Sequence, residues 1–471
     1  MTKLAVIADI HYFSPRLGTC GRAYELRSGS DQKCLAESGA VTDSAFELIA
    51  SSDADAVLIV GDITNDGEKC SHEEIREKLR RLNEKKPVYL ITSTHDWCSD
   101  KNPRRFEGEN VYRDVEAVSR EELAGMYAEF GKETEIASFK TRAGFYSRVF
   151  QISKDLRLIA VNDDCDGKNG ASGYSEEHME WMIKQIRDAK NCGCDIIAME
   201  HHLLLYGLGG LINKGQSVAD NFSQASALAD AGLRLMLVGH SHMQRTTEFT
   251  SPAGNKITQV NVGSLCGYPA PINYFETENG SAKLKVEFLG GFSYNGKRYG
   301  RDFFKDHTSA VFLNLLNAAS TDKEDLRARL AADGIKIKQL DAVYPLVRFA
   351  AKKALTVTVG GAAGFINALT FGKGINKNAA KKIRNENLLK VILGVFLNVF
   401  DGSSSVGSQP SEVKTVVTDA ASLPRRVLGK LPLEKEKKEK MYKLTNEIEA
   451  IAAELMFPAP PDNTECEISL C

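Results

Sequence analysis

Short apolar runs recur along the first half of the chain at Leu4–Ala8, Ala56–Val60, Val88–Ile91, Asp195–Met199 and Leu235–Val238. Their length and lack of polar interruption predict buried strands. Helical periodicity fills the intervals at Ser44–Ser51, Ser71–Glu84, Glu121–Phe130 and Ser175–Lys190, the last with Trp181 on its apolar face. Gly144–Ile152 and Leu156–Val161 read as further strands, and Glu278-Asn279-Gly280 as a hairpin turn between two more. Strands alternating with helices predict an α/β fold. Three long segments, about Tyr12 to Cys34, Asp100–Val118 and Leu203–Val218, read as loops on the rim formed by the strand ends, where they can cover a site.

Past about Phe292 the pattern becomes helical, with stretches at Ser309–Ala318, Lys323–Asp333, Ala342–Lys353, Ala379–Val399 and Leu433–Met456. The last interleaves charge with Met441, Leu444, Ile448, Ile451 and Leu455, an amphipathic pattern. Residues 402–410 (GSSSVGSQP) read as a flexible loop. At 471 residues the chain exceeds one ordinary compact domain. The expected division is an α/β domain over 1–295, a helical domain over 301–457 and a disordered tail over 458–471.

The ends of the apolar runs carry the chemistry. They lead into Asp9 and His11, Gly61–Gly67 (GDITNDG), Ser93–Trp97 (STHDW), Met199–His202 (MEHH) and Val238–His242 (VGHSH), and six of the nine histidines fall in these pieces. In an open α/β sheet, ligands gather outside the carboxyl ends of the strands. Residues i and i+2 leaving a strand share a side, so Asp9 with His11, and His240 with His242, can each grip a metal. Imidazole and carboxylate suit zinc, manganese or iron, and the absence of cysteine here disfavours a thiolate cage. Asp62, after Gly61, can bridge two cations that together clamp a phosphoryl displacement. One of His201 and His202 reads as a ligand and the other as a supporting or substrate-facing residue. Asp163 and Asp164 serve either the rim or the capping of a strand end, Asn261–Ser264 reads as a structural turn, and His72, His178 and His307 read as solvated.

The ordered set D-x-H, G-D, (N/T)-H-D, H-H and G-H-x-H resembles the calcineurin-like metallophosphoesterase superfamily over roughly residues 1–290. The resemblance implies an αββα sandwich core, to which the helical domain is added, and two divalent ions (Mn, Zn or Fe). It implies that Asp9, His11, Asp62 and His242 hold one ion, and that Asp62, His201, His240 and the residue at 94 hold the other. The superfamily's asparagine is replaced by Thr94, a shorter neutral ligand that can instead bond the local backbone. Metal-bound hydroxide would attack phosphorus, with His95 protonating the leaving oxygen and Asp96 orienting its ring. His202, Arg104 and Arg105 are candidates for holding substrate phosphate. The expected activity is that of a phosphodiesterase or phosphomonoesterase on a small phosphorylated substrate. Glu121 through Asp164 looks most like bacterial members and fixes no substrate. Two rivals are a nuclease of the same superfamily and a metal-poor scaffold acting through its helical domain.

The net charge of −2 supplies no basic track for nucleic acid and points to no polybasic membrane patch. Ten cysteines at irregular spacing, including the C-x-C of Cys192 and Cys194, read as free thiols. With no leader visible after Met1, they suggest the cytoplasm. The longest apolar stretch, Leu388–Phe400, contains Lys390, Gly394 and Asn398 and is too short to span a bilayer. Oligomeric state is left open. Every expected ligand precedes Phe292, so the helical half is expected to be dispensable for the metal site.

Overall fold

A computed structural model of the chain describes residues 1–97, 103–332, 340–428 and 434–471. Its strands are β1 (Thr2–Ile7), β2 (Ala56–Val60), β3 (Val88–Ile91), β4 (Arg105–Glu107), β5 (Asn110–Tyr112), β6 (Glu135–Lys140), β7 (Tyr146–Ser153), β8 (Leu156–Ala160), β9 (Asp195–Met199), β10 (Leu235–Val238), β11 (Arg245–Thr250), β12 (Lys256–Asn261), β13 (Pro271–Glu278), β14 (Ser281–Phe288), β15 (Gly291–Tyr294), β16 (Lys297–Gly300) and β17 (Glu465–Ser469). Six form one sheet in the order β17-β14-β13-β1-β2-β3, and seven form a second in the order β11-β12-β10-β9-β8-β7-β6. Within them, β1, β2 and β3 are parallel, as are β8, β9, β10 and β12.

Alternation along each strand sets the layers. Leu4, Val6, Leu58 and Val60 meet Met199, Leu237 and Phe275 between the two sheets. Their neighbours Ala5, Ile7, Val57 and Ile59 point the other way, against Ile49, Ile75 and Leu79 of helices Ser38–Ser51 and Lys69–Asn83. On the far side, Ile196, Ala198, Met236 and Val238 lie under Met182, Ile186, Ala225 and Leu228 of helices Glu176–Asn191 and Asn221–Ala231. The strand runs carry no polar break because helices and the opposite sheet cover both faces. The architecture is an αββα sandwich with added C-terminal helices. Among the described residues, no helix is long and apolar enough to cross a membrane.

The added helices run from Asp302 to Met456. Two escaped the periodicity analysis: Val359–Leu369, diluted by glycines, and Ser411–Leu428, which contains Pro424. The single helix expected over Ala379–Val399 is two, Lys377–Lys382 and Leu388–Phe400, because Asn387 caps the second by accepting from the Leu389 N–H at 2.8 Å. The expected element ends at Asp100, Asp333 and Leu433 lie outside the described residues. The boundary at 295 falls in the turn of the β15–β16 hairpin, and the first added helix starts at Asp302.

One expectation is corrected. The tail over 458–471 is not disordered: β17 pairs with β14 from Glu465 to Ser469, and its Ile468 enters the inter-sheet core. The acid-and-proline composition concealed an edge strand whose inward residues are apolar. The added helices also touch the rim. Phe400 O accepts from the Gln244 N–H at 2.9 Å, and Glu454 pairs with buried Arg245 at 3.0 Å, both directly after the G-H-x-H piece. His307 Nε2 lies 3.1 Å from Asp31 O, and Asn314 Nδ2 donates to Gly29 O at 3.2 Å, bracing the loop after β1.

Because β17 is part of the core, Ile468→Ala should destabilise the chain by about 2–5 kcal/mol, the usual cost of truncating a buried isoleucine. A urea titration measures this, and an unchanged midpoint would mean that the strand is not docked in solution.

Candidate metal centre

Five loops leave the parallel strands and meet at one rim. Asp9 and His11 follow β1, Asp62 follows β2, Ser93–Asp96 follow β3, His201 and His202 follow β9, and His240 and His242 follow β10. The first two loops continue side by side past their strands. Asp9 N–H donates to Gly61 O at 3.2 Å, His11 N–H to Asp62 O at 3.0 Å and Tyr12 N–H to Ile63 O at 2.9 Å. Asp9, His11, Asp62, His240 and His242 all have φ between 45° and 65°, the left-handed region. The two i,i+2 pairs thus face one cleft through tight turns and not through strand alternation.

The donor atoms fall into two groups. Around Asp9 Oδ1, His242 Nε2 lies at 3.4 Å and His11 Nε2 at 3.7 Å, and the two ring nitrogens are 3.0 Å apart. Ligands on a shell of about 2.1 Å radius stand about 3.0–3.4 Å apart at right or tetrahedral angles, so this triad is sized for a cation. In the second group, Asp62 Oδ2 lies 3.0 Å from His201 Nε2, with a His240 ring nitrogen close to both. Asp62 Oδ2 is also 4.0 Å from His11 Nε2, which places this carboxylate between the groups. His201 Nδ1 lies 2.9 Å from Val60 O, so the buried Nε2 faces the Asp62 carboxylate without an aligned hydrogen bond. That orphaned nitrogen, in an all-imidazole and carboxylate donor set, fits a divalent cation.

Two glycines make the approach possible. A Cβ on Gly61 would sit 2.4 Å from His201 Nδ1, and one on Gly239 would sit 2.7 Å from Asp9 Oδ2. The Ser264 hydroxyl donates to Asp9 O at 2.8 Å, and Asn261 Nδ2 donates to the Ser241 hydroxyl at 3.0 Å, so the Asn261–Ser264 turn supports two of the rim loops.

Burial keeps His11 and His240 well below the usual histidine range; Lys33 and His242 reinforce this for His11, and His202 and His201 for His240. Burial opposes the charged form of His201 too, but the Asp62 and Asp9 carboxylates override it and raise its pKa. The Asp62 carboxyl is likewise resisted by burial and held low by His201 and His95.

His95 stacks edge-on against His11 with centroids 4.9 Å apart. Its Nδ1 bonds Asn65 O and lies 3.5 Å from Asp66 Oδ1, and Arg104 holds the other oxygen of Asp66 at 3.1 Å. The role expected of Asp96 is thereby corrected. The Asp96 carboxylate accepts from the Ser93 and Thr64 N–H groups at 2.9 and 2.8 Å, and so ties the turn after β3 to the loop after β2. Burial and the Asp62 charge push its pKa up to about 7. Asn65 and Asp66 escaped the sequence reading although they stand in the GDITNDG piece itself; the turn that carries them back to His95 has no signature in residue spacing.

Thr94 sits half-buried in the same turn, and its hydroxyl makes no hydrogen bond among the described residues, so the alternative of a local backbone bond is not realised there. The adjacent His95 N–H donates to Asp62 Oδ1 at 3.1 Å. His202 stands behind His240, ring centroids 4.5 Å apart, with Nδ1 3.0 Å from Asp163 Oδ2 and Nε2 3.2 Å from the Ser172 hydroxyl. Asp164 receives the Trp97 indole N–H at 2.9 Å and the Ser93 hydroxyl at 3.2 Å. The pair therefore braces the rim and does not merely cap a strand. Arg105 is turned away: Asp114 takes two of its N–H groups, at 2.8 and 2.9 Å, and Glu107 a third. His72 and His178 are buried, not solvated, with His72 bonded to Tyr127 at 2.8 Å and His178 to Asp166 at 2.9 Å; each lies on the inward face of its helix. His307 is partly buried against the loop after β1.

That loop supplies two residues the sequence did not single out. The Gln32 amide lies 2.8 Å from His242 Nδ1. Lys33 is buried, with Asp31 Oδ2 4.0 Å from its ammonium, and its charge bears on both His11 and His95.

A family model described as calcineurin-like phosphoesterase matches residues 2–244. Among solved structures, the chain is similar to a dimetal phosphatase from Danio rerio, at 12% identity over 61% of this chain and 96% of that one, with a TM-score of 0.40. It is also similar to the purple acid phosphatase PPD1 from yellow lupin (12% identity, 64% and 52% covered, TM-score 0.39) and to a 5'-nucleotidase from Candida albicans (14% identity, 76% and 60% covered, TM-score 0.31). No curated protein matches.

Proposed function

The chain belongs to the calcineurin-like phosphoesterase family, and from that premise we propose that it is a two-metal hydrolase of small phosphate mono- or diesters. The observation that carries this reading is the position of Asp62 between the two donor groups, within 3.0 Å of His201 and 4.0 Å of His11. Asp9, His11, Asp62 and His242 would hold one ion, and Asp62, His201 and His240 the other, with Thr94 beside it. Bound divalent ions supply Lewis acidity, an acidified water and charge neutralisation for the phosphoryl group.

The protein's own groups do the rest. His95, held at Nδ1 by Asn65 and Asp66, presents Nε2 to the cleft and gives its proton to the leaving oxygen as the P–O bond breaks. Arg104 fixes Asp66 and so the His95 ring. Lys33 brings a buried ammonium to the side of the site nearest His11 and His95, where it attracts the phosphoryl oxygens. His202 positions His240 from behind. The cytoplasm and the divisions near 295–301 and 457 complete the reading; the former rests on the cysteines, which are free among the described residues.

Asp62→Ala should abolish hydrolysis of bis-p-nitrophenyl and p-nitrophenyl phosphate with every metal, and elemental analysis should show both ions lost. A wild-type chain with neither metal nor turnover would favour the scaffold reading. Asp66→Asn should lower kcat about 10–100-fold, the usual cost of removing such a support. Burial and Lys33 lower the His95 pKa, while Asp62 and Asp66 raise it above its ordinary value. Without the Asp66 charge the proton is lost more easily, so the alkaline limb of the rate profile should move to lower pH. Thr94→Asn should tighten the second ion in a metal titration, because the longer amide reaches further than a hydroxyl. Unchanged affinity would remove position 94 from the ligand set.

A further inference from the structure

The net charge of the whole chain conceals a strongly basic stretch. Residues 349–390 contain eight Lys and Arg and a single acidic residue, Glu386. Within it, helix Val359–Leu369 and the turn that follows expose three large apolar side chains: Phe365 (67%), Leu369 (65%) and Phe371 (88%). Phe365 and Leu369 are four residues apart and share a face, and Phe371 projects from the turn just beyond. Phe371 also holds a left-handed backbone with φ of 54°, a conformation that costs a bulky residue about 1–2 kcal/mol, while its ring gains no burial in return. The turn is fixed and not frayed: the Gly372 N–H donates to Asn367 O at 2.6 Å, and the Gly374 and Ile375 N–H groups donate to Asn367 Oδ1.

Beside this face is a shallow hollow floored by Gly361 and Gly364 and edged by Lys377, Lys381 and Arg384. The three cations are exposed and have no carboxylate partner among the described residues, in contrast to nearby Lys382 and Lys390, which pair with Glu412 and Glu386. Unpaired cations flanking protruding aromatic and aliphatic tips combine the two requirements of interfacial binding: charge attraction to anionic headgroups and apolar insertion below them.

We propose that this face docks on an anionic lipid surface, with Phe365, Leu369 and Phe371 entering the headgroup–acyl boundary and Lys377, Lys381 and Arg384 meeting the lipid phosphates. A second copy of the chain is a poorer occupant, since two such faces would oppose cation to cation. A nucleic acid would meet the cations, but Leu369 offers it no stacking surface. The proposal is independent of the metal centre and revises the expectation, drawn from net charge, that no polybasic membrane patch exists.

The test is flotation of the full chain with phosphatidylcholine vesicles, with and without phosphatidylserine. Binding should require the anionic lipid and fall as salt is raised. Each cation at a membrane surface contributes about a fivefold factor, so the triple variant Lys377→Gln, Lys381→Gln, Arg384→Gln should bind about a hundredfold more weakly. All three positions are exposed, and an unchanged thermal melt would verify the fold. In a separate variant, Phe371→Trp, emission should shift to the blue when vesicles bind, reporting insertion. The proposal is overturned by any of four results: no partition onto anionic vesicles at low salt, full binding by the triple variant, an unshifted tryptophan on bound vesicles, or tighter binding to a single-stranded oligonucleotide. Self-association that the phenylalanine variant Phe365→Ser abolishes would also overturn it, by assigning the face to a second copy.

Discussion

The left-handed backbone at Asp9, His11, Asp62, His240 and His242 is the constraint around which the rest is arranged. A side chain leaving a strand in extended conformation points up or down from the sheet; a left-handed turn at the strand end swings it across the rim instead. Each such residue costs about 1–2 kcal/mol relative to ordinary backbone, and five together rival a large part of a domain's net stability. Such strain persists only where the surroundings over-determine it. Here the loops after β1 and β2 are locked by three consecutive backbone hydrogen bonds, while Gly61 and Gly239 clear the space that any Cβ would fill. Rigid, doubly buried parallel strands are what make these turns affordable, so the sandwich and the site are one structural problem.

The same crowding concentrates charge. Asp9 and Asp62 are buried beside four imidazoles, of which those of His11 and His201 are buried too, and His11 and His242 present nitrogens to each other at 3.0 Å. Buried polar atoms without partners are costly, on the order of 1–3 kcal/mol each, and His201 Nε2 is one of them. A cation between these donors would relieve both the unpaired carboxylate charge and the orphaned lone pairs, so stability and chemistry favour the same occupant. The residues held away from the donors show the complementary logic. The Asp96 carboxylate takes backbone N–H groups from two different loops, and Asp66 takes His95 on one side and Arg104 on the other. Neighbouring carboxylates thus divide into one that builds the turn and one that steadies a ring.

Much of this was legible because strand ends were legible. Unbroken apolar runs give the buried strands, and the motifs after them name Asp9, His11, Asp62, His95, His201, His240 and His242. What stayed hidden depends on how loops fold back. Asp66 lies four residues past Asp62, yet it reaches His95 through a turn that no periodicity announces. Arg104 and Arg105 are adjacent in sequence, but the β4–β5 hairpin sends one to Asp66 and the other to Asp114. Gln32 and Lys33 sit in a loop whose path depends on helices more than 270 residues away through His307 and Asn314. Net charge misled for a related reason: a sum over the whole chain cancels a local cluster.

That long-range bracing changes what the helical half is for. No expected ligand lies in it, but Phe400 and Glu454 hold the residues directly after His242, and His307 holds the loop whose Gln32 contacts the same ring. His242 is therefore steadied from two directions by helices that carry none of the donor residues. A cation held by His242 would depend on outer partners for the ring's orientation and basicity, and the added helices would supply part of that outer shell. The exposed basic and aromatic face is built from the same helical array. Anything that docks there acts on a body mechanically joined to the rim, through contacts at Gln244 and at Arg245, the first residue of β11.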